Sequence, residues 1–206
     1  MLLEVRELSY KYDELLVLEN VSFSVESGEI LQIVGNNGSG KTTLLKCISG
    51  ILNEGRNIYI DGQEIINSDK RCCISYILPD DILYDYLTVK ENIKFFAELF
   101  KEGNNFSDSV YEFMRDIKVL EYSDYLVKHL SSGTRHKIYL AIMLSRKHSI
   151  LILDEPLSTL DIETQIYMKK YLEKMADDGK IILFVTHIKE FEDIATSKIY
   201  LKSKEY

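Results

Sequence analysis

The chain has 206 residues, 46% hydrophobic and 28% charged, a balance that supports a packed core and excludes a disordered or fibrous chain. Its 25 basic residues against 33 acidic ones leave a net charge of -8. That argues against a nucleic-acid partner, because phosphate-backbone binding leaves a basic footprint. A few local donors can still hold a single nucleotide.

Leu2 to Leu8 and Val21 to Val25 read as strands, the second alternating through Val21, Phe23 and Val25. Gly28 precedes Ile30 to Val34, an apolar run of the length of a buried strand. A glycine-rich loop and an apolar helix over about 42–49 follow. Asp61-Gly62 between Ile58–Ile60 and Ile65–Ile66 predicts a hairpin. From Val89 to Ser145 the periods are helical: Phe95, Phe96, Leu99 and Phe100 form one face, Val110, Phe113, Met114 and Ile117 a second, and Ile138, Ala141, Ile142 and Ser145 a third. Ile150 to Leu153, a helix over 162–176 closed by Asp178-Gly179, and Ile181 to Val185 give a strand-helix-strand order that predicts parallel pairing. The fold expected is α/β, one nucleotide-binding core interrupted by a helical insertion.

The N-terminus, Met1-Leu2-Leu3-Glu4, lacks the basic start and apolar stretch of a secretory leader, and the apolar runs are too short to span a bilayer. The expectation is a protein soluble by itself that serves a membrane only through a partner. Cys47, Cys72 and Cys73 show neither metal-ligand spacing nor a disulfide framework, and read as reduced cytoplasmic thiols.

Gly35-Asn36-Asn37-Gly38-Ser39-Gly40-Lys41-Thr42 fits the phosphate-loop pattern G-x-x-x-x-G-K-[ST]. Small residues let backbone N–H groups approach the phosphates, and the following helix points its positive end at the same anion. Lys41 is placed for the β and γ phosphates of ATP or GTP, and the Thr42 hydroxyl for Mg²⁺. Thr43 completes the binding set. Ile150 to Leu153 runs into Asp154 and Glu155, and acids at the carboxyl end of a buried strand lie where open α/β sheets bind ligands. Asp154 suits a Mg²⁺ role beside Thr42, and Glu155 suits polarising a water for attack on the γ-phosphate. Alone, such acids would read as caps of the next helix; beside a phosphate loop the functional reading wins.

Further along, Leu130-Ser131-Ser132-Gly133-Thr134 stands before a helix and resembles the LSGGQ signature of the ATP-binding cassette (ABC) ATPases. Ser158-Thr159-Leu160-Asp161 resembles the family's D-loop, His187 its switch histidine, and Tyr12 the aromatic residue that stacks on adenine. The resemblance spans nearly the whole chain and implies one ABC ATPase domain over 1–206: a P-loop core of 1–84 and 146–206 with a mixed central sheet and N-terminal antiparallel β region, and a helical insertion over about 85–145. It implies ATP and Mg²⁺ as ligands. Two such domains would pack head to tail, as a homodimer or heterodimer, with Ser131 and Gly133 of one against the γ-phosphate held by the other. His187 would touch that phosphate and act with Glu155 and Lys41 in hydrolysis, and Asp161 would link the two sites.

One departure stands out. The family's glutamine at the start of the insertion is replaced by Asp80, and no glutamine occurs between Gln63 and Gln165. Aspartate still offers an oxygen to Mg²⁺, so Asp80 joins Thr42 and Asp154 as an expected metal-associated residue, with altered metal dependence or slower turnover. Ser132 and Thr134 are milder departures.

The resemblance implies the energy-supplying subunit of a membrane transporter, peripheral on the cytoplasmic face, with its permease on a separate chain. Tyr84, Tyr86, Phe95 and Phe96 are candidates to line the groove for that permease. Little chain follows Leu201, which tilts the expectation toward export. A soluble ABC ATPase and a nucleotide-gated clamp with little hydrolysis are the alternatives; a small-molecule kinase is the remaining P-loop option.

Overall fold

Alternation of apolar and polar residues from the first turn of the chain builds the first two strands, β1 (Leu2–Tyr12) and β2 (Leu15–Glu26), paired antiparallel from Leu2↔Glu26 to Tyr12↔Leu15. Leu3 and Val5 face the core, and a register shift between Val5 and Leu8, where Glu7 takes φ 49°, returns Leu8 to the same face. The computed structural model describes residues 1–52, 56–67, 73–103, 105–157 and 159–202, so Cys72 and Ser158 lie outside the described residues.

Two compact units emerge, one of residues 1–76, 148–155 and 169–206, the other of residues 77–147 and 156–168. The first holds two sheets. One has the order β2-β1-β4-β5, with β4 (Ile58–Ile60) antiparallel to β1 and β5 (Gln63–Glu64) antiparallel to β4. The hairpin forms, but its second strand is Gln63–Glu64 rather than the isoleucines. Asp61 (φ 49°) and Gly62 (φ 76°) make a two-residue turn that sets Ile60↔Gln63 and Tyr59↔Glu64. The pairing ends there, and Ile65–Asn67 closes into a 3-10 turn with Ile65 buried.

The other sheet has the order β6-β7-β8-β3-β9, from β3 (Ile30–Val34), β6 (Ile74–Ile77), β7 (Ile150–Asp154), β8 (Ile181–Val185) and β9 (Ser197–Tyr200). β7/β8, β8/β3 and β3/β9 pair parallel. β7 and β8 are buried along their whole length, as strands covered on both faces must be, which is why they read as unbroken apolar runs. β9 leaves no such trace, because it is an edge strand with every second residue exposed. Helix α1 (Lys41–Ile48) packs Leu44, Leu45, Cys47 and Ile48 into the same core as Leu3, Ile33, Ile152 and Leu183. Burial pushes the Cys47 thiol up to about 12, so it stays protonated.

The second unit is built on α2 (Val89–Leu99), α3 (Asn105–Asp116) and α4 (Ser132–Ser145). Thr88 and Glu91 form a capping box at the start of α2. Ile93 and Phe96, Val110 and Met114, and Ile138 and Ile142 supply the buried face of each helix in turn. The stretch between α3 and α4 is not α-helical; short 3-10 turns occupy Leu120–Tyr122 and Val127–His129. Helix α5 (Ile162–Asp177) and a 3-10 segment, Lys189–Ile194, complete the chain. No helix among the described residues is long and apolar enough to cross a membrane.

Candidate functional site

In the first unit the loop between β3 and α1 leads into the N-terminal end of α1. Gly40 is the N-cap of α1 in a left-handed conformation, φ 93°, and a Cβ there would meet Leu18 Cδ2 at 2.9 Å. At Gly35 a Cβ would press on the Leu201 carbonyl at 2.9 Å. Ser39 N donates to the Asn36 carbonyl at 3.1 Å and tightens the turn, leaving Asn36, Asn37 and Gly38 exposed at its tip. The first turn of α1 carries no acidic residue, so its dipole end is uncompensated. The Lys41 ammonium lies back along the loop, donating to the carbonyls of Gly35 at 2.8 Å and Asn36 at 3.1 Å. No carboxylate pairs with it among the described residues, and Ser39 Oγ is buried without a hydrogen-bond partner there. A cation and a helix end with no anion of their own suit a phosphate chain. Thr43 is buried behind the loop.

The exposed Thr42 places its hydroxyl 3.3 Å from Asp154 Oδ1, although the two are 112 positions apart. Asp154 is only 2% exposed, and its second oxygen accepts from the Tyr76 hydroxyl at 3.0 Å. A hydroxyl and one carboxylate can supply the protein's oxygens to a Mg²⁺ ion whose other ligands are phosphate oxygens and water. No cluster of three or more His, Cys, Asp or Glu ligands occurs among the described residues. Glu155 turns the other way, at φ 54°, donates its N–H to the Val185 carbonyl at 3.1 Å, and brings Oε1 to 3.1 Å from His187 Nε2. Tyr12, at the end of β1, is exposed and meets Tyr10 edge-on at 5.0 Å.

The second unit carries the other expected residues. Ser131 is the N-cap of α4; its Oγ accepts from Thr134 N at 3.2 Å and lies 2.9 Å from the Thr134 hydroxyl. Gly133 has no positive φ, and a Cβ on it would meet nothing within 4 Å. Asp161 caps α5, accepting from Thr164 N at 2.9 Å and from the Thr164 hydroxyl at 3.0 Å, and pairs with Lys137 on α4. The Lys137 bond, aided by the Thr164 amide, holds its carboxyl down at about 2. Asp80 is exposed beyond β6, with no hydrogen bond or ion pair among the described residues. Of the aromatics expected to line a groove, Phe96 is 1% exposed and belongs to the core, while Tyr84, edge-on to Phe95 at 4.7 Å, and Tyr86 face outward.

Three residues had no functional reading in the sequence: Tyr76, Lys137 and Arg135. A run of three bases, Arg135-His136-Lys137, at a helix start with no acid in its first turn was the available signal. Tyr76 had none beyond a hydroxyl on an apolar strand.

The family model described as ABC transporter matches residues 18–158. The chain belongs to the ABC transporter family. Within that family it is similar to ATP-binding subunits. It is 34% identical over 188 residues to a spermidine/putrescine import ATP-binding protein of Thermotoga maritima, covering 89% of this chain and 51% of that one. It is 32% identical over 195 residues to an ATP-binding protein for SkfA peptide export of Bacillus subtilis, covering 92% and 80%. A solved structure, an ATP binding subunit of an ABC transporter, superposes with TM-score 0.87 at 26% identity, covering 100% of this chain and 89% of the other. The chain thus spans about half the length of its Thermotoga relative. The ABC fold accounts for the paired architecture of an antiparallel and a parallel sheet, and ATP is the nucleotide that this family's phosphate loop takes.

Proposed function

We propose that this chain binds and hydrolyses Mg-ATP as the energy-supplying subunit of a membrane transporter, coupled to a permease on a separate chain. The observation that carries the reading is the convergence of Lys41, Thr42, Asp154, Glu155 and His187, from three separate segments, at the carboxyl ends of β3, β7 and β8. In this reading Lys41 and the loop amides grip the β and γ phosphates, and Thr42 and Asp154 would hold a Mg²⁺ ion, which when bound would neutralise charge on the transferred phosphoryl group. Glu155 accepts a proton from the attacking water, and His187, on the same carboxylate, orients it and faces the γ-phosphate.

The second half of the site comes from another ABC subunit packed head to tail. Gly133 supports this, because nothing within its own chain requires a glycine there, and Ser131 opens a helix whose dipole end suits an anion. Asp161 serves its own helix cap and is proposed to reach the interface with its exposed face. Tyr12 offers adenine a stacking face. The permease is proposed to meet the second unit through Tyr84 and Tyr86. The expectation of export rests on where the chain ends, whereas its relatives include both import and export subunits; the permease decides the direction.

The test uses the purified chain with Mg-ATP, following binding by calorimetry and hydrolysis by phosphate release. Binding is expected and Lys41→Ala abolishes it, while Glu155→Gln binds ATP without turnover and accumulates an ATP-dependent dimer. A chain that ignores Mg-ATP, or a Lys41→Ala variant that binds like the parent, refutes the reading.

A further inference from the structure

Arg135 makes a set of contacts that the nucleotide chemistry does not use. It lies in the first turn of α4, where its backbone N–H donates to the Ser131 carbonyl at 2.9 Å. A cation at that position opposes the helix dipole, and no acid of the same turn compensates it. Compensation comes instead from the segment that follows β6. Arg135 Nε donates to both carboxylate oxygens of Asp81, at 2.7 and 2.8 Å, Nη1 pairs with Asp85, and Nη2 donates to the Leu83 carbonyl at 3.2 Å. Three nitrogens of one planar fork therefore hold three residues of one short segment, which a lysine has no geometry to do.

That segment is rigid in its own right. Leu83 N donates to Asp81 Oδ1 at 3.1 Å, and the Asp85 carbonyl accepts from Lys128 N at 3.1 Å. The buried Asn92 on α2 accepts from Tyr84 N at 2.8 Å and donates to the Tyr84 carbonyl at 3.1 Å. Between these anchors it presents Ile82, Tyr84 and Tyr86, which are 46%, 49% and 79% exposed. An outward-facing aromatic segment is thus tied through one side chain to the turn that carries Ser131 and Gly133.

We infer that Arg135 is a positioning residue that anchors the Ser131–Gly133 turn to segment 81–86 and so sets how that turn meets the nucleotide of a second copy. The inference rests on the head-to-tail reading above. Arg135 is not among the residues proposed to hold the chain's own nucleotide, so its loss weakens subunit closure and leaves first-site binding alone.

The experiment uses the full chain carrying Glu155→Gln, with Mg-ATP as the only ligand, and reads ATP binding by calorimetry and dimer formation by sedimentation. With Arg135→Ala, the ATP Kd is expected within about twofold of the parent, while the ATP-dependent dimer weakens by at least about tenfold, the scale of losing one charge-assisted hydrogen bond. Arg135→Lys, which keeps the charge, falls between the two. Arg135→Ala with Asp81→Ala is expected to be no worse than Arg135→Ala alone, as residues acting through one contact require. Should Arg135→Ala fail to fold, Arg135→Lys carries the measurement. Dimerisation like the parent's in Arg135→Lys and Arg135→Ala overturns the inference and leaves the proposed function standing, as does equal loss of ATP binding and dimer. A parent that binds ATP and never dimerises overturns the head-to-tail reading, and the inference with it.

Discussion

Replacing Gly133 by alanine separates what a residue does for its own chain from what it does for a partner. Gly133 is the second residue of α4, has no positive φ, and an added Cβ would find no atom within 4 Å. Inside the chain the methyl group therefore meets no clash, and a helical glycine exchanged for alanine gains about 0.5–1 kcal/mol. For a chain of this size that raises Tm by roughly 1–4 °C. At the proposed interface the same methyl stands where a backbone N–H must approach a γ-phosphate. Losing one hydrogen bond to a charged group costs about 1.5–3 kcal/mol, or about 10- to 150-fold in turnover. Thermal unfolding and phosphate release on one preparation thus move in opposite directions. Gly40→Ala provides the contrast: with φ 93° and Leu18 Cδ2 at 2.9 Å, alanine there lowers stability by about 1–2 kcal/mol. A Gly133→Ala protein that melts earlier than the parent, or hydrolyses ATP at the parent rate, refutes the reasoning.

Two further outcomes are expected. Tyr76→Phe removes the 3.0 Å hydrogen bond to the buried Asp154 carboxylate; urea unfolding should show a loss of about 1–3 kcal/mol with an unchanged m-value, and a loss under about 0.5 kcal/mol would mean that this bond does not hold the carboxylate. Asp161 has its folded carboxyl depressed to about 2 by Lys137 and the Thr164 amide, against about 3.9 in the unfolded chain. Its stabilisation is therefore present above about pH 4 and lost as pH falls through the folded value near 2. Its side chain is 53% exposed, so the contribution stays under about 1 kcal/mol. Asp161→Asn still caps the helix and should trail the parent in urea midpoint at pH 7, with the gap closing near pH 2. A gap that persists unchanged at low pH assigns the effect to something other than charge.

The parts of this protein legible in its sequence are those decided by neighbours in the chain. The phosphate loop is local because backbone amides, small residues and a helix start act within eight positions. The buried strands are local because a strand covered on both faces must be apolar throughout, and the acids of Asp154 and Glu155 are conspicuous only because they end such a run. The helices of the second unit announced themselves by periodicity, and α2 also by the Thr88-Glu91 capping pair.

Only the tertiary structure decided the rest. Thr42 and Asp154 meet across 112 positions, and Tyr76 reaches the same carboxylate from a neighbouring strand. Glu155 finds His187, Asp161 turns to Lys137, and Arg135 grips Asp81 and Asp85. No period or propensity encodes such pairings, because their energy depends on the distance between groups in space and on how much water lies between them. Edge strand β9 escaped for a related reason: the exposure of a strand is set by the neighbour it pairs with, and here that neighbour, β3, is far away in sequence.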